Sequence, residues 1–352
     1  MASRLRFGII GCGLIAANHV VALRGIADVD VVAVADIDVA RARDFAQRHD
    51  IPHAVADAEQ IFAAGLHAVT VCTPHAAHVQ GVLLAASHGV HVLCEKPIAL
   101  GLHDAEQMVE ATERAGVVFG VLFQRRFWPA AQRIRNALDE GRLGPPTCGG
   151  VLARFRRDAE YYAEAWRGRW STEGGGVLMT QAIHHIDLLQ WFMGRARRVT
   201  GRYATLAHQD FLEVEDTAAA VVEFTSGAVA TIQAATTFSP GLGAQVWVSD
   251  ARGATASVRE FPEGVGFTDL WTLPGEEEFA TVYHQRSEFD LPLRHIHENL
   301  VPYHRMQIED FVAALRAGRE PAVTGREAMR SLEIVQAIYE SSRSGQAISL
   351  PS

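Results

Sequence analysis

The sequence predicts an α/β protein with two domains. We expect a doubly wound parallel sheet over residues 1–124 and an α+β domain with a large open, mostly antiparallel sheet over residues 125–352. Strand-like and helical stretches alternate in the first third of the chain, which predicts parallel strands with helices on both faces. Strand-like runs follow one another directly in the second half, which is typical of antiparallel sheets. The length of 352 residues suffices for two domains.

Short apolar runs bounded by turn residues predict the buried strands of the first domain. These runs lie at residues 5–10, 29–36, 67–73, 89–94 and 116–123. Helical stretches separate them at about residues 14–25, 38–49, 57–64, 75–88 and 103–115. The alternation predicts parallel strands that are joined by helical crossovers.

The second domain opens with a predicted helix that begins at Pro129 and ends near Gly141. Strand-like runs follow at residues 147–157, 197–206, 215–225, 228–238, 244–249 and 254–259. The stretch "FTSGA" between two of these runs predicts a hairpin turn. Two helices, at about residues 303–317 and 325–343, are expected to close the chain.

A glycine motif, "GCGLIA", lies between the first predicted strand and the first predicted helix. Gly11 permits a tight turn, Gly13 lets the backbone approach a pyrophosphate, and Ala16 allows close packing of helix on strand. The N–H groups at the helix N-terminus then face the anion. This is the dinucleotide-binding fingerprint of a Rossmann domain. It assigns to the cofactor site Gly11, Cys12, Gly13, Leu14 and Ile15.

Asp36 ends the second predicted strand, about 20 positions after the glycine motif. An aspartate at this position can accept hydrogen bonds from both ribose hydroxyls and would repel a 2′-phosphate. The next residues, Ile37 and Asp38, supply no cation for such a phosphate, so NAD is favoured over NADP. The alternative is that Asp36 caps the following helix.

The stretch "LCEKPIAL" places Glu95, Lys96 and Pro97 directly after a buried strand. In an open α/β sheet, ligands bind beyond the carboxyl ends of the strands, which is where this turn is expected. Lysine is useful there because it can donate to a reacting oxygen or accept its proton. The alternative is an ordinary solvated turn.

A predicted helix over residues 174–194 is apolar nearly all round and is therefore expected to be buried. Its single polar stripe contains Thr180, His184, Asp187 and Trp191. Buried polar groups need partners, so the stripe either forms part of a site or is satisfied by other protein groups. His185 points to the opposite, apolar face and is interpreted as a hydrogen-bonded core histidine.

Composition excludes several other classes of function. The net charge is −9 with a pI of about 6.0 and no basic block, so we expect no nucleic-acid partner. Apolar runs are too short for a membrane span or a signal peptide. The four cysteines, at 12, 72, 94 and 148, lack metal-ligand spacing and are interpreted as reduced thiols of a cytoplasmic protein. We expect no metal site.

Taken together, the motifs resemble those of the Gfo/Idh/MocA oxidoreductases, which include glucose–fructose oxidoreductase and inositol dehydrogenase. The resemblance covers essentially the whole chain. It rests on "GCGLIA", "TPHAAH", "CEKP", "WRG", "GGGVLMTQAIHHID", "EDTAAAVVEFTSGAV" and the closing "GREPAVTGREAMRSLEIVQAIYESSRSG".

The resemblance implies a Rossmann domain followed by an α/β domain, and oxidation or reduction of one carbon of a sugar or cyclic polyol with a nicotinamide cofactor. It implies that Lys96 and His184 form the catalytic pair, with Asp187 in the same constellation. It also implies a cis peptide bond between Lys96 and Pro97. The positions that match cofactor-lining residues of the family are Thr73, Pro74, His78, Glu95 and Lys96.

One position departs from the family pattern. Many members carry aspartate four residues before the histidine, whereas this chain has Thr180. An Asp–His relay is therefore in doubt, and the substrate cannot be carried over. Tyr161 and Arg167 are candidates for binding substrate hydroxyls, although a surface salt bridge explains Arg167 equally well.

The expected function is that of an NAD-dependent dehydrogenase or ketoreductase acting on a secondary alcohol of a sugar, sugar derivative or cyclitol. Two alternatives stay open: an enzyme for a non-carbohydrate alcohol such as a dihydrodiol, and a non-catalytic regulator that binds a dinucleotide. Apolar strands such as "VWVS" and "AAAVVEF" predict that the open sheet packs against a second copy of the chain, giving a homodimer or homotetramer.

Overall fold

The structure, a computed structural model, describes residues 4–273, 275–276 and 290–351. The chain divides into two compact units. The first unit contains the residues up to Gln124 together with Leu300–Met329. The second unit contains Arg125–Asn299 and the residues from Arg330 onward.

The first unit holds a six-stranded sheet in which every pairing is parallel. Its strands are β1 (Leu5–Ile10), β2 (Val29–Ala35), β3 (His53–Val55), β4 (Ala68–Val71), β5 (His91–Cys94) and β6 (Phe119–Val121). The spatial order β3-β2-β1-β4-β5-β6 is that of a Rossmann domain and confirms the predicted parallel sheet. β3 was not predicted, because three residues give too short an apolar pattern to read.

Helices connect these strands largely where the sequence predicts them. They are α1 (Leu14–Arg24), α2 (Val39–Arg48), α3 (His78–Ser87) and α4 (Leu102–Ala115). The stretch predicted as a helix at 57–64 is a 3₁₀ helix over Ala58–Ala64. Phe7 and Ile9 of β1 share one buried core with Val20 and Leu23 of α1, which anchors the glycine turn between them.

The second unit holds an eight-stranded open sheet with the order β13-β12-β11-β7-β10-β9-β8-β14. Its strands are β7 (Pro146–Arg154), β8 (Ala196–Ala204), β9 (Thr217–Phe224), β10 (Val229–Ala235), β11 (Gly243–Asp250), β12 (Thr255–Glu260), β13 (Gly266–Trp271) and β14 (Ile348–Ser349). All pairings are antiparallel except that of β7 with β10. The predicted hairpin at "FTSGA" joins β9 to β10 and is confirmed.

The remaining helices are α5 (Pro129–Asp139), α6 (Trp170–Glu173), α7 (Ile183–Met193), α8 (Leu293–Ala317) and α9 (Gly325–Ser344). A π-helical turn over Leu178–Ala182 leads directly into α7, which packs on β7 and β11. Within the described ranges, every helix is too short or too polar to cross a bilayer.

Residues 300–329 belong to the first unit, although the sequence predicted a single second domain from residue 125. Ile308, Phe311 and Val312 of α8 lie in the same buried core as β1 and α1. The side chain of Gln307 donates to the carbonyl oxygen of Val121 at 2.7 Å. α8 also begins ten residues earlier than predicted, because the helix continues through Pro302 instead of starting after it.

Candidate active site

The glycine motif forms the turn between β1 and α1. Gly11 has a φ of +96°, and a Cβ there would lie 2.7 Å from the backbone of Cys72, so glycine is required. Gly13 is the N-cap of α1, and a Cβ there would meet nothing within 4 Å. Both features fit a pyrophosphate: the turn is tight, and the space before the helix N-terminus is open.

Asp36 lies at the end of β2 with its carboxylate turned toward this turn. One oxygen accepts the backbone N–H of Cys12 at 2.9 Å, and the other accepts that of Asp38 at 2.9 Å. Asp38 caps α2, so the interpretation of Asp36 as the helix cap is wrong. The guanidinium of Arg41 lies 3.4 Å from the Asp36 carboxylate. The sequence argument considered only the two residues after Asp36 and therefore did not predict this cation.

Cys12 is unsuited to nucleophilic chemistry. Burial and the nearby Asp36 carboxylate raise the pKa of its thiol to about 12. The group is therefore a neutral thiol at ordinary pH, and its backbone N–H is what contributes to the site.

Thr73 and Pro74 follow β4, and His78 begins α3. The ring of His78 is buried between two carbonyl oxygens, that of Pro97 at 2.8 Å and that of Thr73 at 3.0 Å. Burial lowers the pKa of His78, and a neutral ring donates to one of these oxygens at a time. His78 therefore ties the β4 loop to the turn that follows β5.

The Glu95–Lys96–Pro97 turn follows β5. Glu95 and Pro97 are buried and Lys96 is half-buried, so the interpretation as a solvated turn is wrong. The Lys96–Pro97 peptide bond is cis, as the resemblance implied. Glu95 Oε2 accepts the backbone N–H of Lys96 at 3.2 Å.

Two buried histidines face the other oxygen of Glu95. His19 Nε2 lies 2.9 Å from Glu95 Oε1, and His304 Nε2 lies 3.6 Å from the same atom. Burial alone would raise the pKa of Glu95, but the two histidines outweigh it and hold that pKa well below its usual range. No local pattern connects these residues, because 285 positions separate His19 from His304.

Thr180 lies in the π-helical turn of the second unit, a feature often found at functional sites. Its hydroxyl donates to Glu173 Oε1 at 3.0 Å, and Glu173 Oε2 accepts the backbone N–H of Gly168 at 2.5 Å. Glu173 is 1% exposed. The sequence missed this buried carboxylate, which is hydrogen-bonded to Thr180, the position where the family resemblance implied aspartate.

Tyr161 and Arg167 contact each other within the second unit. Arg167 donates to the Tyr161 hydroxyl, and its guanidinium lies 4.2 Å from the centre of the Tyr161 ring. Gln181 also donates to that hydroxyl, at 3.1 Å. Arg167 also forms a 3.5 Å ion pair with the exposed Glu164. Its guanidinium therefore makes both a salt bridge and a hydrogen bond to the Tyr161 hydroxyl.

The rest of the polar stripe on α7 is largely satisfied by protein groups. Asp187 accepts two bonds from Arg126, at 2.6 and 2.7 Å, and one from Ser331 at 2.9 Å. Gln190 donates to the same carboxylate at 3.4 Å, so four protein donors already surround Asp187, which the resemblance placed in the constellation of the catalytic pair. His184, on the same helix, is 3% exposed and belongs to the second unit, whereas Lys96 belongs to the first.

His185 is a hydrogen-bonded core histidine, as predicted. Its Nε2 lies 2.6 Å from Glu260, which also receives two bonds from Arg125 at 2.7 and 2.9 Å. Burial opposes ionisation of Glu260, but Arg125 and His185 outweigh it and hold the pKa of this carboxyl far below its usual range.

Three features define the first unit as a nicotinamide-dinucleotide-binding domain: the order of its strands, the glycine turn, and the aspartate at the end of β2. Residues 5–123 match the NAD-binding Rossmann fold of an oxidoreductase family, and residues 135–350 match that family's C-terminal alpha/beta domain. The chain therefore belongs to the Gfo/Idh/MocA oxidoreductase family, which confirms the resemblance seen in the sequence.

Relatives match the chain along nearly its whole length. The D-apiose dehydrogenase of Paraburkholderia graminis is 30% identical, over 99% of this chain and 90% of that protein. The inositol 2-dehydrogenase of Rhizobium meliloti is 26% identical, over 98% and 99%. The structure of the WlbA dehydrogenase from Bordetella pertussis, in complex with NADH and UDP-GlcNAcA, is 29% identical over 99% of both chains, with a TM-score of 0.82.

Proposed function

We propose that the protein is an NAD-dependent oxidoreductase that transfers a hydride between the nicotinamide and a secondary alcohol or ketone carbon of a sugar, sugar derivative or cyclitol. One observation carries this proposal most directly. Of the 32 lysine and arginine residues in the chain, Lys96 is the one lysine. Arginine serves at every other cationic position, but it cannot lose its proton at ordinary pH, whereas lysine can.

Residues of the first unit hold the cofactor. The open turn at Gly13 and the N–H groups of the first turn of α1 receive the pyrophosphate, and the Asp36 carboxylate accepts the adenosine ribose hydroxyls. The remaining proposed contacts come from Gly11, Cys12, Leu14, Ile15, Thr73, Pro74, His78, Glu95 and Lys96. Bound NAD supplies the group that accepts or donates the hydride.

Lys96 and His184 move the proton of the reacting hydroxyl. The backbone at Lys96 is held by a hydrogen bond to the Glu95 carboxylate, and His184 projects from a buried helix, so the attachment point of each side chain is constrained. Such constraint suits general acid–base catalysis, which requires the donor and acceptor at hydrogen-bonding distance. Thr180, Tyr161 and Arg167 are proposed to bind substrate hydroxyls, together with Asp187, whose carboxylate is held by Arg126.

The relatives support a polyhydroxylated substrate. The names of the P. graminis and R. meliloti enzymes specify D-apiose and inositol, and the WlbA complex contains a nucleotide sugar acid. These molecules share a ring or chain of neighbouring hydroxyl groups. Hydroxyl-binding side chains such as those of Tyr161 and Arg167 suit such a substrate.

The proposal is tested by incubating the protein with NAD and a panel of inositols, pentoses, hexoses and UDP-linked sugars, while following formation of reduced nicotinamide by absorbance. A trans-dihydrodiol serves as the non-carbohydrate comparison. Turnover of a sugar or cyclitol is expected. Tight NAD binding without turnover of any compound would instead support a non-catalytic regulator. Turnover of the dihydrodiol alone would identify a non-carbohydrate alcohol as the substrate.

We also propose that the protein is a cytoplasmic homodimer or homotetramer. Val221 and Val229, on neighbouring strands of the open sheet, are each 44% exposed, and such apolar sheet faces suit packing against a second copy. All four cysteines are free thiols, which suits a reducing compartment. Light scattering should show at least a dimer, and a persistent monomer of 38.4 kDa would reject the assembly.

A further inference from the structure

The carboxylate of Glu95 is enclosed by groups from distant parts of the chain. His19 comes from α1 and His304 from α8, and both rings are 0% exposed. Glu95 itself is 6% exposed. A buried carboxylate is stable only when positive charge and hydrogen bonds replace the water it has lost. The question is which of the surrounding groups supplies the charge.

The position of His304 bears on this. Its Nδ1 lies 3.0 Å from the carbonyl oxygen of Leu300, and a carbonyl can only accept, so Nδ1 carries a hydrogen. Its Nε2 lies 3.6 Å from Glu95 Oε1, which is beyond hydrogen-bond distance, and has no hydrogen-bond partner among the described residues. In a neutral ring this nitrogen would hold a lone pair close to the carboxylate. A hydrogen on Nε2 as well replaces this repulsion by attraction and gives the ring a positive charge.

His19 has a different role in the same cluster. Its Nε2 donates to Glu95 Oε1 at 2.9 Å, while its Nδ1 is buried and has no hydrogen-bond partner among the described residues. A neutral ring with its hydrogen on Nε2 fits this arrangement. The His19 and His304 rings are 5.9 Å apart, so a positive charge on both would be unfavourable.

The other titratable groups near Glu95 are two thiols, His78 and Lys96. Cys72 and Cys94 are thiols whose pKa values burial raises, so they stay neutral. His78 bonds to the carbonyl oxygens of Pro97 and Thr73 instead of to the carboxylate. The backbone N–H of Lys96 binds Glu95 Oε2, whereas both histidines face Oε1.

We propose that His19 and His304 are positioning residues which, as a neutral donor and an imidazolium, lock the Glu95 carboxylate and through it the backbone and ammonium group of Lys96. We refer to His19, Glu95 and His304 as the histidine clamp. The proposal rests on the proposed function for its effect on catalysis, but the state of the clamp can be measured without turnover. In this arrangement α8, which carries His304 and comes late in the chain, helps to orient Lys96.

A divalent metal ion is the competing occupant. The same three atoms, His19 Nε2, Glu95 Oε1 and His304 Nε2, lie within 4.8 Å of one another. However, the 2.9 Å contact between His19 and Glu95 is an ordinary hydrogen-bond distance, which needs no ion. Zinc is therefore measured directly in the purified protein as part of the test, and one equivalent that is lost in His304→Gln would overturn the clamp in favour of a metal site.

The first measurement uses the fact that Lys96 is the one lysine. Protein labelled with ¹⁵N-histidine and ¹³C,¹⁵N-lysine gives a side-chain lysine signal that can only be Lys96, and histidine signals that the His19→Gln and His304→Gln variants assign. We expect the spectra to show a hydrogen on both ring nitrogens of His304 in the unaltered protein and on only one of them in Glu95→Gln. The proposal would be overturned if His304 were neutral in the unaltered protein, or if its ring-nitrogen signals were the same in Glu95→Gln.

The Lys96 signal supplies the second measurement. In His304→Gln it should change position and titrate at higher pH, because a positive charge near the lysine has been removed. His103→Gln, which changes an exposed histidine of the same unit, should leave the signal unchanged. An unchanged Lys96 signal in a folded His304→Gln variant would contradict coupling between the clamp and the lysine.

Kinetics separate a positioning role from a structural one. With an accepted substrate, His304→Gln should lower kcat at least about tenfold, with a much smaller change in NAD affinity. In the Lys96→Met background the same change should have almost no further effect, because the lysine that the clamp positions is gone. An equal loss in both backgrounds would refute the proposal. If no substrate is turned over, the proposed function fails, while the spectra still decide the state of the clamp.

Discussion

Each of the two units buries a carboxylate next to the turn or helix that carries a proposed proton-transfer residue, but the two carboxylates are neutralised differently. Glu95, beside Lys96, is hydrogen-bonded by His19 and lies 3.6 Å from the ring nitrogen of His304. Asp187, on the helix of His184, is bonded by Arg126 and Ser331. Arginine keeps its charge at any ordinary pH, whereas the charge of histidine depends on its surroundings.

The charge around Glu95 can therefore be adjusted by protonation of a histidine, whereas the charge around Asp187 is constant. The charge balance around Glu95 changes if one histidine gains or loses a proton, and Lys96 shares a hydrogen bond with that carboxylate. The charge balance around Asp187 is set permanently by a two-pronged arginine contact. The first arrangement suits tuning of a reactive group, and the second suits rigid support of a helix.

The largest expected effects come from the proton-transfer residues themselves. Lys96→Met and His184→Ala should each lower kcat by about 10²–10⁴-fold, because each removes a positioned acid–base group. NAD affinity should change far less. Combined, the two changes should cost less than the product of the single losses, since they serve one proton transfer. A near-normal kcat in Lys96→Met, measured with an accepted substrate, would move the search for the acid–base group elsewhere.

The fixed ion pairs of the second unit should dominate stability. Glu260→Gln leaves the buried Arg125 without its counter-charge, which should lower the free energy of unfolding by about 3–5 kcal/mol in urea titrations at neutral pH. The pKa of Glu260 is depressed in the folded protein, so its contribution is complete above its ordinary value of 4.5 and is lost as the pH falls below it. The difference between variant and unaltered protein should therefore shrink in acid.

The matched control is Glu340→Gln. Glu340 forms an ion pair with Arg343 in the same unit, but both side chains are about half exposed. Exposed pairs contribute little to stability, so this change should be nearly silent at every pH. Equal losses in the two variants would show that burial of the Arg125–Glu260 pair does not decide its contribution.

The sequence predicted those parts of the molecule in which chemistry and local pattern coincide. The glycine turn, Asp36 and the Glu95–Lys96–Pro97 turn each follow a buried strand, and parallel strands end at the same edge of a sheet. The parallel pairing of the strands in the first unit follows from the alternation of strands and helices. The cis peptide bond at Lys96 came from the family resemblance and not from any pattern in the residues.

What the sequence could not predict depends on long-range packing. The apolar spacing of α8 shows that Ile308 and Phe311 face a core, but not that this core belongs to the first unit. His304 therefore could not be connected with Glu95. Glu173, just before three glycines, carries no local sign that it is buried. β13, which is only partly buried, was missed for the related reason that its apolar pattern is weak.

A third carboxylate, Asp36, differs from Glu95 and Asp187 because its cation, Arg41, is about half exposed. Asp36→Ala, or Asp36→Ser with Ile37→Arg, should lower NAD affinity about tenfold or more and shift preference toward NADP, since hydrogen bonds to a charged group are lost. Arg41 would then be available to a 2′-phosphate, so Arg41→Met added to Asp36→Ala should remove part of the gained NADP affinity. Tighter equilibrium binding of NADP than NAD by the unaltered protein would show that Asp36 was misread.

The smallest expected effect concerns Thr180, the position where the family resemblance implied aspartate. In the proposed site the Thr180 hydroxyl donates to the buried Glu173, and its oxygen accepts a hydrogen bond from the substrate. Thr180→Val removes that acceptor and should lower kcat/KM by about 3–10-fold, the effect of one neutral hydrogen bond. Thr180→Ser keeps the hydroxyl and should restore most of the activity.

Glu173→Gln tests the same bond from the other side. Glutamine can donate to Thr180 while its carbonyl oxygen still accepts the N–H of Gly168, so the Thr180 hydroxyl would turn and point its hydrogen toward the substrate. The loss in kcat/KM should then resemble that of Thr180→Val, and the two changes together should cost no more than either alone. If Glu173→Gln lowers the melting temperature while kcat/KM stays normal, the buried carboxylate supports the Gly168 turn and does not set the polarity of Thr180.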